Sequence, residues 1–123
     1  MTNSHPRTPA DIERISPIAL KLYPRIIEML ELSEAESAAI LTMTANRMPK
    51  ELSEDQISRI SFLIGIEQRL EGLTFNGQIN LSPAEWMHAP SEQLSGQTPV
   101  EYMATAGLAG MKHVRDILDA LMI

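Results

Sequence analysis

The chain has 123 residues and no cysteine, room for one compact domain or two small helical subdomains sharing a core, without disulfides or thiolate metal sites. A hydrophobic share of 44 % with 21 % charged residues belongs to a folded protein, and only 4 % aromatic residues makes the expected core aliphatic. A net charge of −6 argues against non-specific coating of nucleic acid, although a dimer with one local basic patch stays open.

Residues 1–14 read as a flexible arm, opening with the polar, proline-bearing MTNSHPRTP. Apolar residues then fall at Ile15, Ile18, Leu22, Ile26 and Met29, which is helical spacing. Ser16-Pro17 has the grammar of a helix start, and Pro24 is expected to kink or split the helix. Ser33 with Glu36 forms a capping box for a short helix to about Leu41. A brief segment from Thr42 to Met48 closes on Pro49, and Ser53 with Gln56 opens the longest helix. Its stripe is Ile57, Ile60, Leu63, Ile64 and Leu70, ending near Gly72.

Residues 73–81 (LTFNGQINL) read as an inter-helix loop, with a hairpin at Asn76-Gly77 as the alternative. Ser82-Pro83-Ala84-Glu85 and Thr98-Pro99-Val100-Glu101 repeat the cap, proline and glutamate pattern. In the first, Leu81 is placed to staple onto Trp86. These helices should end at Pro90 and near Gly107, and a last helix should follow from Leu108. The expectation is an all-α fold of six or seven helices.

The catalytic inventory is thin. His5, His88 and His113 have no partner at a spacing that implies a dyad, and Glu85 near His88 reads as a surface pair. Metal-ligand spacings and phosphate-cradling loops are missing, so the expectation is a binding protein without cofactor or metal, not an enzyme. Eight methionines point mainly to core filling, with adaptable interface as the other use. Trp86 is either the anchor of a small core or a partly exposed interface residue. Residues 72–111 hold no Lys or Arg but include Glu85, Glu92 and Glu101, a pattern suited to a solvated face or to a basic partner. No apolar run approaches the roughly 20 residues of a membrane span, and no signal-peptide core opens the chain. A cytoplasmic protein without a membrane partner is expected.

The stretch LSPAEWMHAPSEQLSGQTPVEYM carries Trp86, Pro90, Leu94, Gly96, Thr98 and Pro99, followed by Gly110 and Val114. In order and spacing it resembles the C-terminal toxin-binding domain of Xre/MbcA/ParS-type antitoxins. Pro90 stops a helix, Gly96 permits a turn, and Thr98-Pro99 restarts the chain. The resemblance implies an Xre-like helical domain over residues 15–73, of helix-turn-helix type, and a toxin-binding domain over 74–123. The N-terminal helices would then be those ending near Glu31, starting at Ser33, spanning Thr44 to Pro49, and starting at Ser53.

It also implies an antitoxin that covers the active site of a cognate toxin, typically a RES-domain protein that consumes NAD. Trp86, Asp116, Asp119, Leu121, Met122 and Ile123 are the expected toxin contacts. Leu121 and Ile123 could equally finish the core stripe of the last helix. A homodimer and binding to operator DNA belong to the same implication, with Thr44, Asn46, Arg47 and Lys50 as the DNA-facing residues. The third helix holds few cations, and residues 42–60 are net neutral. The rival reading is therefore a protein-interaction inhibitor or adaptor of the same fold that does not bind DNA.

Overall fold

A computed structural model of the chain describes residues 9–42 and 52–122. Within them the fold is all-helical: α1 (Pro9–Met29), α2 (Glu34–Leu41), α3 (Glu54–Phe75), α4 (Pro83–Met87) and α5 (Pro99–Leu121), with a 3₁₀ turn at Glu92–Leu94. Among the described residues the helix count is thus five, not six or seven. The two helices expected after Thr98 form one element interrupted at Gly107, and the segment expected as a helix from Thr44 to Pro49 lies outside the described residues.

Helix α1 departs most from expectation. It starts at Pro9, and both Pro17 and Pro24 sit inside it, so neither the cap at Ser16 nor the split at Pro24 occurs. An interior proline costs about 3 kcal/mol locally, and packing of the helix face against the rest of the fold offsets that. The buried face keeps Ile26 of the expected stripe but otherwise lies one residue along from it. Ala19, Tyr23, Ile26 and Leu30 are buried, whereas Ile18 is 59 % and Leu22 37 % exposed. Two neighbouring stripes are apolar, and the one carrying Tyr23 and Leu30 faces the core.

The capping boxes form at Ser33, Ser53, Ser82 and Thr98. At α2, for instance, Ser33 Oγ accepts from Glu36 N–H at 3.1 Å, and Glu36 Oε1 accepts from Ser33 N–H at 2.7 Å. Each box satisfies two backbone donors that a helix start leaves orphaned.

Helix α3 runs past Gly72 to Phe75 and closes in a loop, so the hairpin alternative is not taken. Gly77, at φ 75°, lets Gln78 N–H reach Leu73 O at 2.9 Å while Gly77 N–H reaches Thr74 O at 3.1 Å. This paired closure relieves the last carbonyls of the helix and turns the chain towards α4.

A single aliphatic core joins both halves of the chain. Leu30, Ile40, Leu41, Ile57, Leu63 and Leu70 belong to the same cluster as Met87, Leu94, Val100, Met103, Val114 and Leu118. Met87, Met103 and Met111 are fully buried, so these three are core filling. Helix α3 is the centre of the packing, with α5 and α1 against it and α2 against α5.

The break in α5 is what allows its two parts to fold onto α3. Gly107 takes φ 67° and ψ −145°, a backbone region reserved for glycine. Three residues on, Gly110 is buried where a Cβ would lie 2.6 Å from Ala106 Cβ and 3.3 Å from Tyr102 O. The first glycine makes the bend, and the second makes room for the segment that the bend returns.

Candidate protein-interaction site

The segment that resembles a toxin-binding domain starts at Leu81 and uses α4, the 3₁₀ turn and α5. Between Pro90 and Thr98 the backbone closes on itself. Ser91 N–H donates to Gln97 O at 3.0 Å, and Gly96 N–H donates to Ser91 O at 2.8 Å. Ser95 and Gly96 are both left-handed, at φ 59° and 88°. Gly96 therefore makes the turn expected of it, and buried Leu94 pins the loop to the core.

Trp86 is half-buried and packs against the core cluster. One side of it borders an open cavity of about 440 Å³, shared with Leu81, Ala89, Pro90, Glu92 and Pro99. Leu81, at the position before the Ser82 cap, lines the same cavity as Trp86 at the fourth helical position, as a hydrophobic staple requires. Trp86 thus packs in part on the core and is accessible in part, so its burial is compatible with both readings. Exposed Glu92 gives this cavity a carboxylate at its edge, whereas Glu85 and Glu101 each cap their own helix start.

The far end of α5 is a second patch. Leu121 and Met122 are 41 % and 48 % exposed, while Val114, Ile117 and Leu118 hold the helix to the core. The core stripe thus stops at Leu118. Asp119 pairs with Arg69 of α3, and Leu121 O accepts from Gln78 Nε2 at 2.9 Å, so two polar contacts fasten the terminal turn. Asp116 pairs with Lys112 at 2.9 Å. That hydrogen bond holds the Asp116 carboxyl below the usual carboxylate range. The two aspartates expected to face a partner are in the structure held by cations of this chain. Ile123 lies outside the described residues, as do Thr44, Asn46, Arg47 and Lys50.

One exposed apolar residue escaped the sequence reading. Phe75 is 90 % exposed at the last position of α3, three residues before the Gln78 that holds Leu121. The signal was present, since a phenylalanine in the polar surroundings Thr74 and Asn76 has little reason to stay there if nothing covers it.

Residues 81–122 match the family described as the antitoxin Xre/MbcA/ParS C-terminal toxin-binding domain. This segment is similar to that family. No curated protein and no solved structure matches the chain. The matched Xre/MbcA/ParS segment contains Trp86 and its cavity, the closed loop, the Gly107 break, and the exposed Leu121 and Met122. The similarity is to a domain described as toxin-binding. No helix of the described residues is long and apolar enough to cross a membrane.

Proposed function

We propose that this chain is the antitoxin of a toxin–antitoxin pair and that residues 81–122 bind the toxin and cover its active site. The observation that carries the reading is the family match over a segment whose last turn leaves Leu121 and Met122 uncovered. The tail acts as the plug: Leu121, Met122 and Ile123 supply apolar contact, and Asp116 and Asp119 supply negative charge by exchanging Lys112 and Arg69 for groups of the toxin. A pocket that binds NAD offers cationic and donor groups to a pyrophosphate, so a RES-type toxin fits such a plug. Trp86 and Glu92 form a second contact, for which the absence of Lys and Arg across 72–111 favours a basic toxin surface. The chain works by binding and not by catalysis, in the cytoplasm and as a homodimer.

For residues 15–73 we propose an Xre-like helical domain that contacts the operator weakly if at all. The net charge of −6 supports the inhibitor without DNA binding over the repressor. A gel shift against its own upstream DNA at about 150 mM salt distinguishes the two, and nanomolar binding would restore the repressor.

The plug is tested by deleting residues 120–123, which removes the last turn and the Gln78 contact; the described residues of this stretch, 120–122, are all exposed. The shortened chain should fold and fail to rescue growth in the presence of its toxin. If it folds and rescues growth as well as the full chain, the tail is not the plug, and Trp86→Ala then tests the cavity face.

A further inference from the structure

A cavity on another side of the molecule is lined by two arginines. It opens between α3 and α5, has a volume of about 290 Å³, and is lined by Ser58, Ser61, Phe62, Gly65, Arg69 and Arg115. Two guanidinium groups and no carboxylate face into it. Asp55 pairs with Arg59 and Asp116 with Lys112, whereas Asp119 pairs with Arg69 itself, so Arg115 is the lining cation without an ion pair among the described residues.

The two arginines are held from behind. Arg115 lies over the Phe62 ring, with Cζ 4.7 Å from its centroid, a cation–π contact that helps to place the guanidinium. Its Nε is buried and has no hydrogen-bond partner among the described residues. A buried donor left without an acceptor costs about 1–3 kcal/mol. Arg69 uses Nε on Asp119 and Nη1 on Gly65 O at 3.0 Å, which leaves further N–H donors of its five. Gly65 sits in the interior of α3, where glycine costs about 1 kcal/mol relative to alanine. A Cβ at that position would come within 3.0 Å of Arg69 Nη1. The missing side chain is therefore the space in which the Arg69 guanidinium lies.

We propose that this cavity is an oxyanion site, in which Arg115 and Arg69 hold a phosphate or carboxylate group between α3 and α5. An anion there would pair with the Arg115 guanidinium, which has no carboxylate of its own, and accept from the N–H donors that Arg69 has left. Ser61, exposed at the edge, would add a hydroxyl donor. Guanidinium pairs are the usual protein device for planar or tetrahedral oxyanions because their donors match the spacing of the oxygens. The inference does not depend on the toxin reading.

The test uses the full chain with inorganic phosphate and, separately, acetate, against chloride at matched ionic strength. Phosphate should raise the melting temperature saturably, as a ligand of the folded state does, and should shift the Arg115 Nε–H resonance. Arg115→Gln should weaken binding at least tenfold, roughly 1.4 kcal/mol. Ser61→Asp, which keeps both arginines and places a carboxylate at the opening, should abolish it. An equal response to acetate identifies a carboxylate site, and a response to phosphate alone identifies a phosphate site. If neither anion gives a saturable response, or if binding survives both substitutions, the proposal is overturned.

Discussion

His88 Nε2 lies 3.1 Å from Glu31 O and 3.2 Å from Leu30 O, so the end of α4 is hydrogen-bonded to the end of α1. Both acceptors are carbonyls, so this nitrogen carries the hydrogen and donates. The other ring nitrogen, Nδ1, faces Glu36 Oε2 at 3.8 Å. The pair expected from sequence, His88 with Glu85, is not formed; Glu85 is spent on the Ser82 cap. His88→Ala should cost about 1 kcal/mol of stability, the usual worth of a half-exposed hydrogen bond, measured by urea unfolding. An unchanged midpoint would show that the carbonyls are served equally well by water.

Three glycines of the chain should respond differently to alanine. Gly107→Ala forces a side chain into a left-handed conformation and should destabilise by more than about 1 kcal/mol. Gly110→Ala meets Ala106 Cβ at 2.6 Å and should cost about 1–3 kcal/mol through overpacking. Gly72→Ala, inside α3 with nothing within 4 Å of the added carbon, should instead gain up to about 1 kcal/mol. Thermal melts of the three variants give the order directly, and loss of stability in Gly72→Ala would contradict it.

Glu67 is 4 % exposed at the α1–α3 contact, and its Oε2 has no hydrogen-bond partner among the described residues. Burial, then the hydrogen bond and charge of Glu71, push its carboxyl up to about 7, with Arg25 opposing. The folded state therefore holds a proton that the unfolded chain releases near its ordinary value of 4.5. The stability that this proton contributes is complete below that value and is lost as pH rises through 7. Glu67→Gln should stabilise the protein at pH 8 by at most about 3 kcal/mol and give a smaller gain near pH 5. A pH-independent difference between the two proteins would rule out a titrating Glu67.

Phe75→Ser should leave the melting temperature within about 1 kcal/mol of stability, since a side chain so exposed contributes little to the core. Its effect should appear in toxin affinity, measured beside the residue 120–123 deletion. A large loss of stability would show that Phe75 is covered in the free protein.

Much of the fold was legible because its helices announce their own starts. Ser33, Ser53, Ser82 and Thr98 each carry the glutamate or glutamine that completes a box, and a box is a local device that needs no tertiary information. Gly96 and Gly107 were legible for the same reason. The face of α1 was not. Ile18 and Leu22 compete with Ala19 and Tyr23 on adjacent stripes, and only the surface offered by α3 decides between them. Nor was the end of α1 marked by glycine. Glu31 takes the left-handed position at φ 52°, a role that a sequence reader assigns to glycine or asparagine. Of the candidate site, Trp86 stood out as the one tryptophan, whereas the exposure of Leu121 was left open against a place in the core stripe. The ion pairs Asp119 with Arg69 and Asp116 with Lys112 differ in this respect, since the first joins residues far apart in sequence and only the second lies at helical spacing.

The shared core has a thermodynamic consequence for regulation. Because Leu30, Ile40 and Leu63 pack in one cluster with Met103, Val114 and Leu118, the segment over residues 81–122 has no hydrophobic interior of its own. A partner that binds residues 81–122 only when they are folded therefore stabilises α1, α2 and α3 by the same free energy. Backbone amides remote from the contact should exchange with solvent more slowly in the complex, and a protease that needs an opened chain should find α1 as protected as α5. Release of such a partner should lower the stability of all five helices together, to that of the free chain.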